Sequence, residues 1–120
     1  MGSDQPNRQM IEDITRVGVR AAVLLRGVVL QTVDRDTLEW GLRELAAGRL
    51  LERYFGYLVD HPECVDLLNL LHLVYSLEGQ LEFQVREYGL DSVKDDLEEI
   101  NFSLRRVGER FDLAALRQAV

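Results

Sequence analysis

The first part of the chain alternates a narrow polar stripe with a wide apolar face at helical spacing. Between residues 7 and 33 the stripe positions recur every three or four residues, and nearly all positions opposite them are apolar. The stripe consists of Gln9, Glu12, Asp13, Arg16, Arg20, Gly27 and Gln31. A surface helix exposes a wider polar face than this one. The pattern therefore predicts a helix over residues 7–33 that is central to the core or lies in an interface.

The next segment has two apolar faces that one straight helix cannot bury. Asp36 and Glu39 have the spacing of a capping box and predict the start of a second helix. Its apolar face is formed by Leu38, Leu42 and Leu45. Beyond Gly48 the apolar direction turns by roughly 150° at the helical pitch. We therefore predict a break at Gly48 and a third helix over residues 49–59.

Caps and stop residues predict three further helices. Asp60 and Pro62 have the properties of a helix start, so a fourth helix is expected to run to about Tyr88. Asp91 or Ser92 caps a fifth helix that ends at residue 107, and a short sixth helix follows to about residue 118. The fifth helix carries a seam in 4-3-4-3 spacing, which is typical of close helix packing. The seam consists of Val93, Leu97, Ile100, Leu104 and Val107.

These elements predict an all-α protein, a compact bundle of five or six helices with two long central helices, the first and the fourth. We expect residues 1–7 to form a disordered N-terminal arm and residues 8–120 to form a single helical domain. Both central helices are apolar over wide arcs, and one chain of 120 residues offers limited surface to cover them. We therefore expect a homodimer.

The charge and the cysteine content restrict the classes of partner and compartment. With 21 acidic and 14 basic residues the formal net charge is −7, which disfavours nucleic acid and anionic membranes as partners. The apolar run over residues 17–33 is short for a membrane span and contains Arg20 and Arg26. Cys64 is the only cysteine and the first residues lack a signal-peptide layout, so we expect a cytoplasmic location.

The motifs of common enzymes are missing from the sequence. It has no phosphate-binding glycine loop, no paired Cys-x-x-Cys and no His-Glu-x-x-His, so we predict no cofactor and no metal. His61 and Cys64 are three residues apart at a helix start, and whether they bind a metal stays open.

His72 could serve a phosphotransfer or other enzyme-like function. The polar stripe of the fourth helix contains this histidine, which favours a solvated imidazole, and its other members are Asp66, Asn69, Ser76, Gln80 and Glu87.

Two charged residues interrupt the apolar faces of the central helices. Glu78 lies among the leucines and valines of the fourth helix, and Arg26 has a similar position on the first. Burying either charge alone is costly. We predict a structural ion pair between Glu78 and Arg26, within one chain or across a dimer. The alternative is that each lies at the solvated edge of its face.

Two aromatic residues project from charged helix faces, where interface anchors are common. Trp40 points away from Leu38 and Leu42, and Phe102 points away from the seam of the fifth helix. The charged neighbours of Phe102 include Asp95, Glu98, Glu99, Arg105 and Arg106. We predict that these five residues, with Phe102 and Trp40, bind another protein, and the acidic residues among them favour a basic one. The alternative is that a neighbouring helix covers both aromatic rings.

The sequence therefore predicts an acidic helical protein-binding module that regulates, inhibits or assembles a partner without catalysis. Two alternatives stay open. One is an enzyme-like module that uses His72, and the other is a structural subunit whose aromatic residues are buried by self-association.

Overall fold

The computed structural model describes residues 4–111, with side chains from residue 8 onward. The helices are α1 (Asp4–Val29), α2 (Arg35–Leu45), α3 (Ala47–Asp60), α4 (Val65–Tyr88) and α5 (Val93–Phe111). Short 3-10 turns, Pro62–Cys64 and Leu90–Ser92, lead into α4 and α5. Residues 4–111 contain no strand, which confirms the all-α class. The predicted sixth helix falls outside these residues, so the predicted total and the homodimer stay predictions.

The two longest helices, α1 and α4, hold the bundle together. Each of them contacts all four other helices, and α5 packs against both. The core is built mainly from leucines, of which Leu25, Leu38, Leu42, Leu58, Leu67, Leu70, Leu71 and Leu104 are fully buried. Burial of one such side chain stabilises the fold by about 1.5–3 kcal/mol. The predicted seam of α5 faces this core, with Leu97 partly buried and the other four seam residues buried.

Helix α1 begins at Asp4, inside the segment predicted to be an arm, and ends four residues before the predicted end. Its end is a Schellman motif in which Gln31 takes the left-handed conformation at φ 63°. The N–H of Thr32 bonds the carbonyl of Gly27 at 2.8 Å, and the N–H of Gln31 bonds that of Val28 at 3.0 Å. Gly27 allows this turn to close, because a Cβ there would lie 2.4 Å from Val33 Cγ2.

The start of α2 lies earlier than the Asp36–Glu39 spacing predicted. Asp34 is the N-cap, and its carboxylate accepts the backbone N–H of Thr37 at 2.8 Å. This hydrogen bond lowers the pKa of Asp34. The predicted cap at Asp36 is wrong because the earlier aspartate already satisfies the first turn.

The break between α2 and α3 occurs at Ala46 and not at the predicted Gly48. Ala46 is left-handed, with φ 53° and ψ 46°, and its N–H bonds the carbonyl of Arg43 at 3.2 Å. Gly48 lies inside the first turn of α3. Its missing side chain serves packing, since a Cβ there would lie 3.0 Å from Tyr75 Cε1. The change of apolar direction was a correct sign of a break, but the glycine was the wrong residue.

The boundaries of the last two helices also differ in part from the prediction. The 3-10 turn delays the start of α4 to Val65, whereas its end at Tyr88 before Gly89 is as predicted. Gly89 has φ 84°, a conformation that favours glycine. Helix α5 continues through the buried Gly108 to Phe111, past its predicted end at residue 107.

Candidate functional site: a groove between two antiparallel helices

A wide groove on the described surface lies between α4 and α5. The short connection at Gly89 makes the two helices antiparallel neighbours. The groove has a volume of about 990 Å³, with the polar stripe of α4 on one side and the charged face of α5 on the other. It is lined by Val65, Asp66, Asn69, His72, Leu73, Ser76, Asp95, Glu98, Glu99, Phe102, Ser103 and Arg106.

One end of the groove is fixed by an ion pair. Asp66 is buried, with 6% exposure, and its Oδ1 accepts a hydrogen bond from Arg106 Nε at 3.0 Å. Arg110 Nε lies 3.7 Å from the second carboxylate oxygen. The Arg106 guanidinium carbon also lies 5.7 Å from the centre of the Phe102 ring, within the range of a cation–π contact. Asp66 therefore holds Arg106, and Arg106 lies against the ring of Phe102.

Phe102 is the exposed aromatic residue of this groove. Its side chain is 55% exposed, and Val65 and the partly buried Leu73 line the groove with it. A ring exposed among charged residues gains free energy when a partner buries it. The arrangement can therefore accept an apolar side chain from another molecule.

The other end of the groove is acidic. Asp95, Glu98 and Glu99 are all exposed and lie on the first two turns of α5. The positive end of the helix dipole is favourable for these carboxylates. The adjacent Asp96 lies outside this group, because Gln84 Nε2 donates a hydrogen bond to its Oδ2 at 2.6 Å. Burial raises the pKa of Asp96, and the Gln84 hydrogen bond partly opposes this shift.

The structure brings five of the seven predicted partner-binding residues together in this groove. They are Phe102, Asp95, Glu98, Glu99 and Arg106. Arg105 is exposed on α5 but does not line the groove, and Trp40 lies on α2 with 63% exposure. No neighbouring helix among residues 8–111 covers either aromatic side chain. The binding function of all seven residues stays a prediction.

The sequence did not indicate that Asp66 belongs to this site. Asp66 appeared only as one member of a solvated stripe, whereas it is the counter-ion of Arg106 and Arg110. A signal was present in the sequence, since the two arginines are four residues apart and so lie on one face of α5. Which helix faces them could not be derived from that spacing.

Glu78 and Arg26 form no ion pair with each other within the described residues. Arg26 is exposed beside Leu97 and Asn101, in a small pocket between α1 and α5. Glu78 is partly buried on α4, and desolvation raises its pKa while the charge of Arg43 opposes this shift. The predicted pair is therefore absent within one chain, and a pair between two copies stays a prediction.

The remaining chemical candidates are Cys64, His61 and His72. Cys64 is buried, and burial raises the pKa of its thiol, which makes the thiolate rare. The His61 ring stacks on Tyr57 with centroids 3.8 Å apart, and its Nδ1 lies 2.8 Å from the Tyr57 carbonyl oxygen. The part of the chain that the structure describes holds no group of three residues suited to binding a metal ion. His72 is exposed in the groove, as the polar stripe predicted.

Comparisons with protein-family models, with curated proteins and with solved structures found no match for this chain. None of the helices in residues 4–111 is long and apolar enough to cross a membrane.

Proposed function

We propose that this protein binds a basic amphipathic helix of another protein in the groove between α4 and α5, and thereby regulates, inhibits or assembles that partner without catalysis. The observation that carries the proposal is the alignment of Phe102 and three carboxylates along one groove. The carboxylates belong to Asp95, Glu98 and Glu99.

The shape of the groove favours a helical occupant. Two antiparallel helices present a long furrow, and a third helix can lie along it with its apolar side chains at intervals of three or four residues. The apolar side chains that line the furrow are those of Phe102, Val65 and Leu73. An occupant therefore needs one or two apolar anchors that face these residues.

The charge of the groove favours basic side chains on the part of the occupant that faces Asp95, Glu98 and Glu99. Arg106 is hydrogen-bonded to Asp66, so part of its charge is compensated inside the protein. The three exposed carboxylates have no arginine or lysine within ion-pair distance among residues 8–111. Lysine or arginine side chains of a partner can pair with them, which would increase the rate of association and select against acidic partners.

Phosphotransfer through His72 is less well supported. His72 shares its groove with the same three carboxylates, and they repel an incoming phosphoryl group. Because His72 lines the groove, only a His72 variant that loses function while it still binds the partner helix would favour the enzyme-like alternative. Reversible self-association in sedimentation experiments, without any foreign ligand, would favour the structural subunit.

The test is site-specific photo-crosslinking in lysate of the native host. A photoreactive amino acid at Asn69, which lines the groove, is compared with one at Gln80, which is exposed on the same helix outside it. We expect the Asn69 probe alone to crosslink one protein, at a segment with basic residues and helical apolar spacing. Crosslinks from both positions alike, to an acidic segment, or to no protein would contradict the proposal.

A further inference from the structure

A second depression lies where α1 passes the break between α2 and α3. It has a volume of about 280 Å³ and is lined by four arginines, although the chain as a whole is acidic. Arg16 and Arg20 lie on adjacent turns of α1, and Arg49 and Arg53 lie on adjacent turns of α3. Like charges four residues apart on a helix repel one another. Two such pairs around one depression therefore create a local positive field.

The carboxylates in this depression do not compensate the arginines. Only Asp13 and Glu44 line it, so four guanidinium groups against two carboxylates leave a formal excess of two positive charges. Asp13 is largely occupied, because it accepts hydrogen bonds from the Tyr54 hydroxyl and from Gln9 Nε2, both at 2.9 Å. Its contact with Arg16 is long, at 3.7 Å.

The other three arginines of the depression lack a carboxylate partner. Within residues 8–111 no ion pair involves Arg20, Arg49 or Arg53. The guanidinium groups of Arg20 and Arg49 are therefore available as donors, whereas that of Arg53 also lies 5.9 Å from the centre of the Tyr54 ring. Each guanidinium is a planar fork that fits two oxygens of one anion.

The helix ends at this place add little net field. Ala46, which lines the depression, is both the C-cap of α2 and the N-cap of α3. The negative end of the α2 dipole therefore opposes the positive end of the α3 dipole, and the positive field of the depression comes from the arginines.

We infer that this four-arginine depression is a binding site for the phosphate group of a small phosphorylated compound. A phosphomonoester carries close to two negative charges at neutral pH, which matches the excess of two positive charges. Its three terminal oxygens can accept hydrogen bonds from several guanidinium groups at once, whereas a carboxylate offers two. Val17, Leu45 and Leu50 line the same depression and can contact the apolar part of an organic phosphate.

The experiment is a titration at low ionic strength with phenyl phosphate, inorganic phosphate and acetate. Binding is followed by calorimetry and by the side-chain Nε–H resonances of the arginines. We expect saturable binding of both phosphates, with the ester tighter because its ring contacts the apolar wall, and acetate at least about tenfold weaker. The resonances of Arg20 and Arg49 should shift. No saturation, or acetate as tight as phosphate, would overturn the inference.

Two matched variants separate this site from the general charge of the protein. Arg20→Gln with Arg49→Gln removes two charges from the depression, and Arg86→Gln with Lys94→Gln removes two exposed charges elsewhere. Phosphate affinity should fall about tenfold or more in the first variant and hardly change in the second. Equal losses in both would overturn the inference. If the first variant is misfolded by circular dichroism, Arg49→Lys replaces it, and this change keeps the charge but should still weaken binding.

Discussion

At the scale of single residues, Asp66 connects the fold to the proposed binding site. It is buried at the start of α4, and its carboxylate is the counter-ion of Arg106 and Arg110 on α5. Asp66 also holds the Arg106 guanidinium against the Phe102 ring. A change at Asp66 should therefore affect both the stability of the protein and the charge of the groove.

Asp66→Asn is expected to lower the free energy of unfolding by about 1–2 kcal/mol. Removing one partner of a fully buried ion pair usually lowers stability by more than this. Here Arg106 and Arg110 are both about half exposed, so solvent compensates part of the loss. The variant should also bind a basic helix more weakly, because the released Arg106 repels it. Urea denaturation measures the first effect. Asp95→Asn, at an exposed position, is the control, and an equal loss of stability there would contradict this explanation.

Glu78→Gln should stabilise the protein at neutral pH. Burial raises the pKa of Glu78 above its usual 4.5, so the folded state retains the proton more readily than the unfolded state. The contribution of such a group is favourable at low pH and is lost as the pH rises through its folded pKa. The stabilising effect of the variant should therefore be present at pH 7 and disappear below about pH 4. Thermal unfolding across this range, with the exposed Glu82→Gln as control, provides the measurement. If Glu78→Gln and the wild type differed in stability by the same amount at every pH, the desolvation of Glu78 could not be the cause.

At the scale of the elements, periodicity predicted which segments are helical, and the backbone determined where they end. Wide apolar faces identified α1 and α4, and the 4-3-4-3 seam identified α5. Gly89 marked the end of α4 because glycine is the usual residue at positive φ. Gln31 and Ala46 also have positive φ angles without being glycine. Residue preference gives no sign of such positions, so the end of α1 and the break before α3 were misplaced.

Ala46→Gly should raise the free energy of unfolding by roughly 0.5–1 kcal/mol. An alanine in the left-handed region pays a steric cost of about 1–2 kcal/mol, of which the greater freedom of glycine in the unfolded chain cancels a part. Chemical denaturation measures the change. Gly18→Ala is the matched variant in the opposite direction, because its new Cβ would lie 2.7 Å from Cδ2 of the fully buried Leu70. A loss of stability in Ala46→Gly would show that Ala46 does not adopt the left-handed conformation in solution.

At the scale of the whole molecule, the two proposed sites differ in charge and position. The acidic groove lies between α4 and α5, and the four-arginine depression lies between α1 and the α2–α3 break. The sequence indicated the acidic residues and Phe102, because each interrupts a helical pattern. It could not indicate that Trp40 lies apart from them, since this depends on how the helices pack. The net charge of −7 also gave no sign of the four-arginine depression, because a sum over the whole chain does not show local clusters.

Binding of the partner helix should weaken as the salt concentration rises. The exposed carboxylates of the groove attract basic side chains through solvent, and at 0.1 M salt the screening length is about 10 Å. The association rate should fall more than the dissociation rate rises, because steering acts before contact. Stopped-flow kinetics at several salt concentrations, with Glu98→Gln/Glu99→Gln as the comparison, measure both rates. A salt dependence as steep in this variant as in the wild type would contradict the proposed contribution of the two glutamates.

The most direct test of the central claim is the affinity of the crosslinked partner segment, as a synthetic peptide, for two alanine variants. Phe102→Ala removes the aromatic side chain of the groove, and Trp40→Ala removes one of similar exposure on α2. We predict that Phe102→Ala weakens binding at least about tenfold, as expected for a buried aromatic anchor, and that Trp40→Ala has almost no effect. Equal affinity of Phe102→Ala and wild type, with both proteins folded, would contradict the assignment of the α4–α5 groove as the binding site.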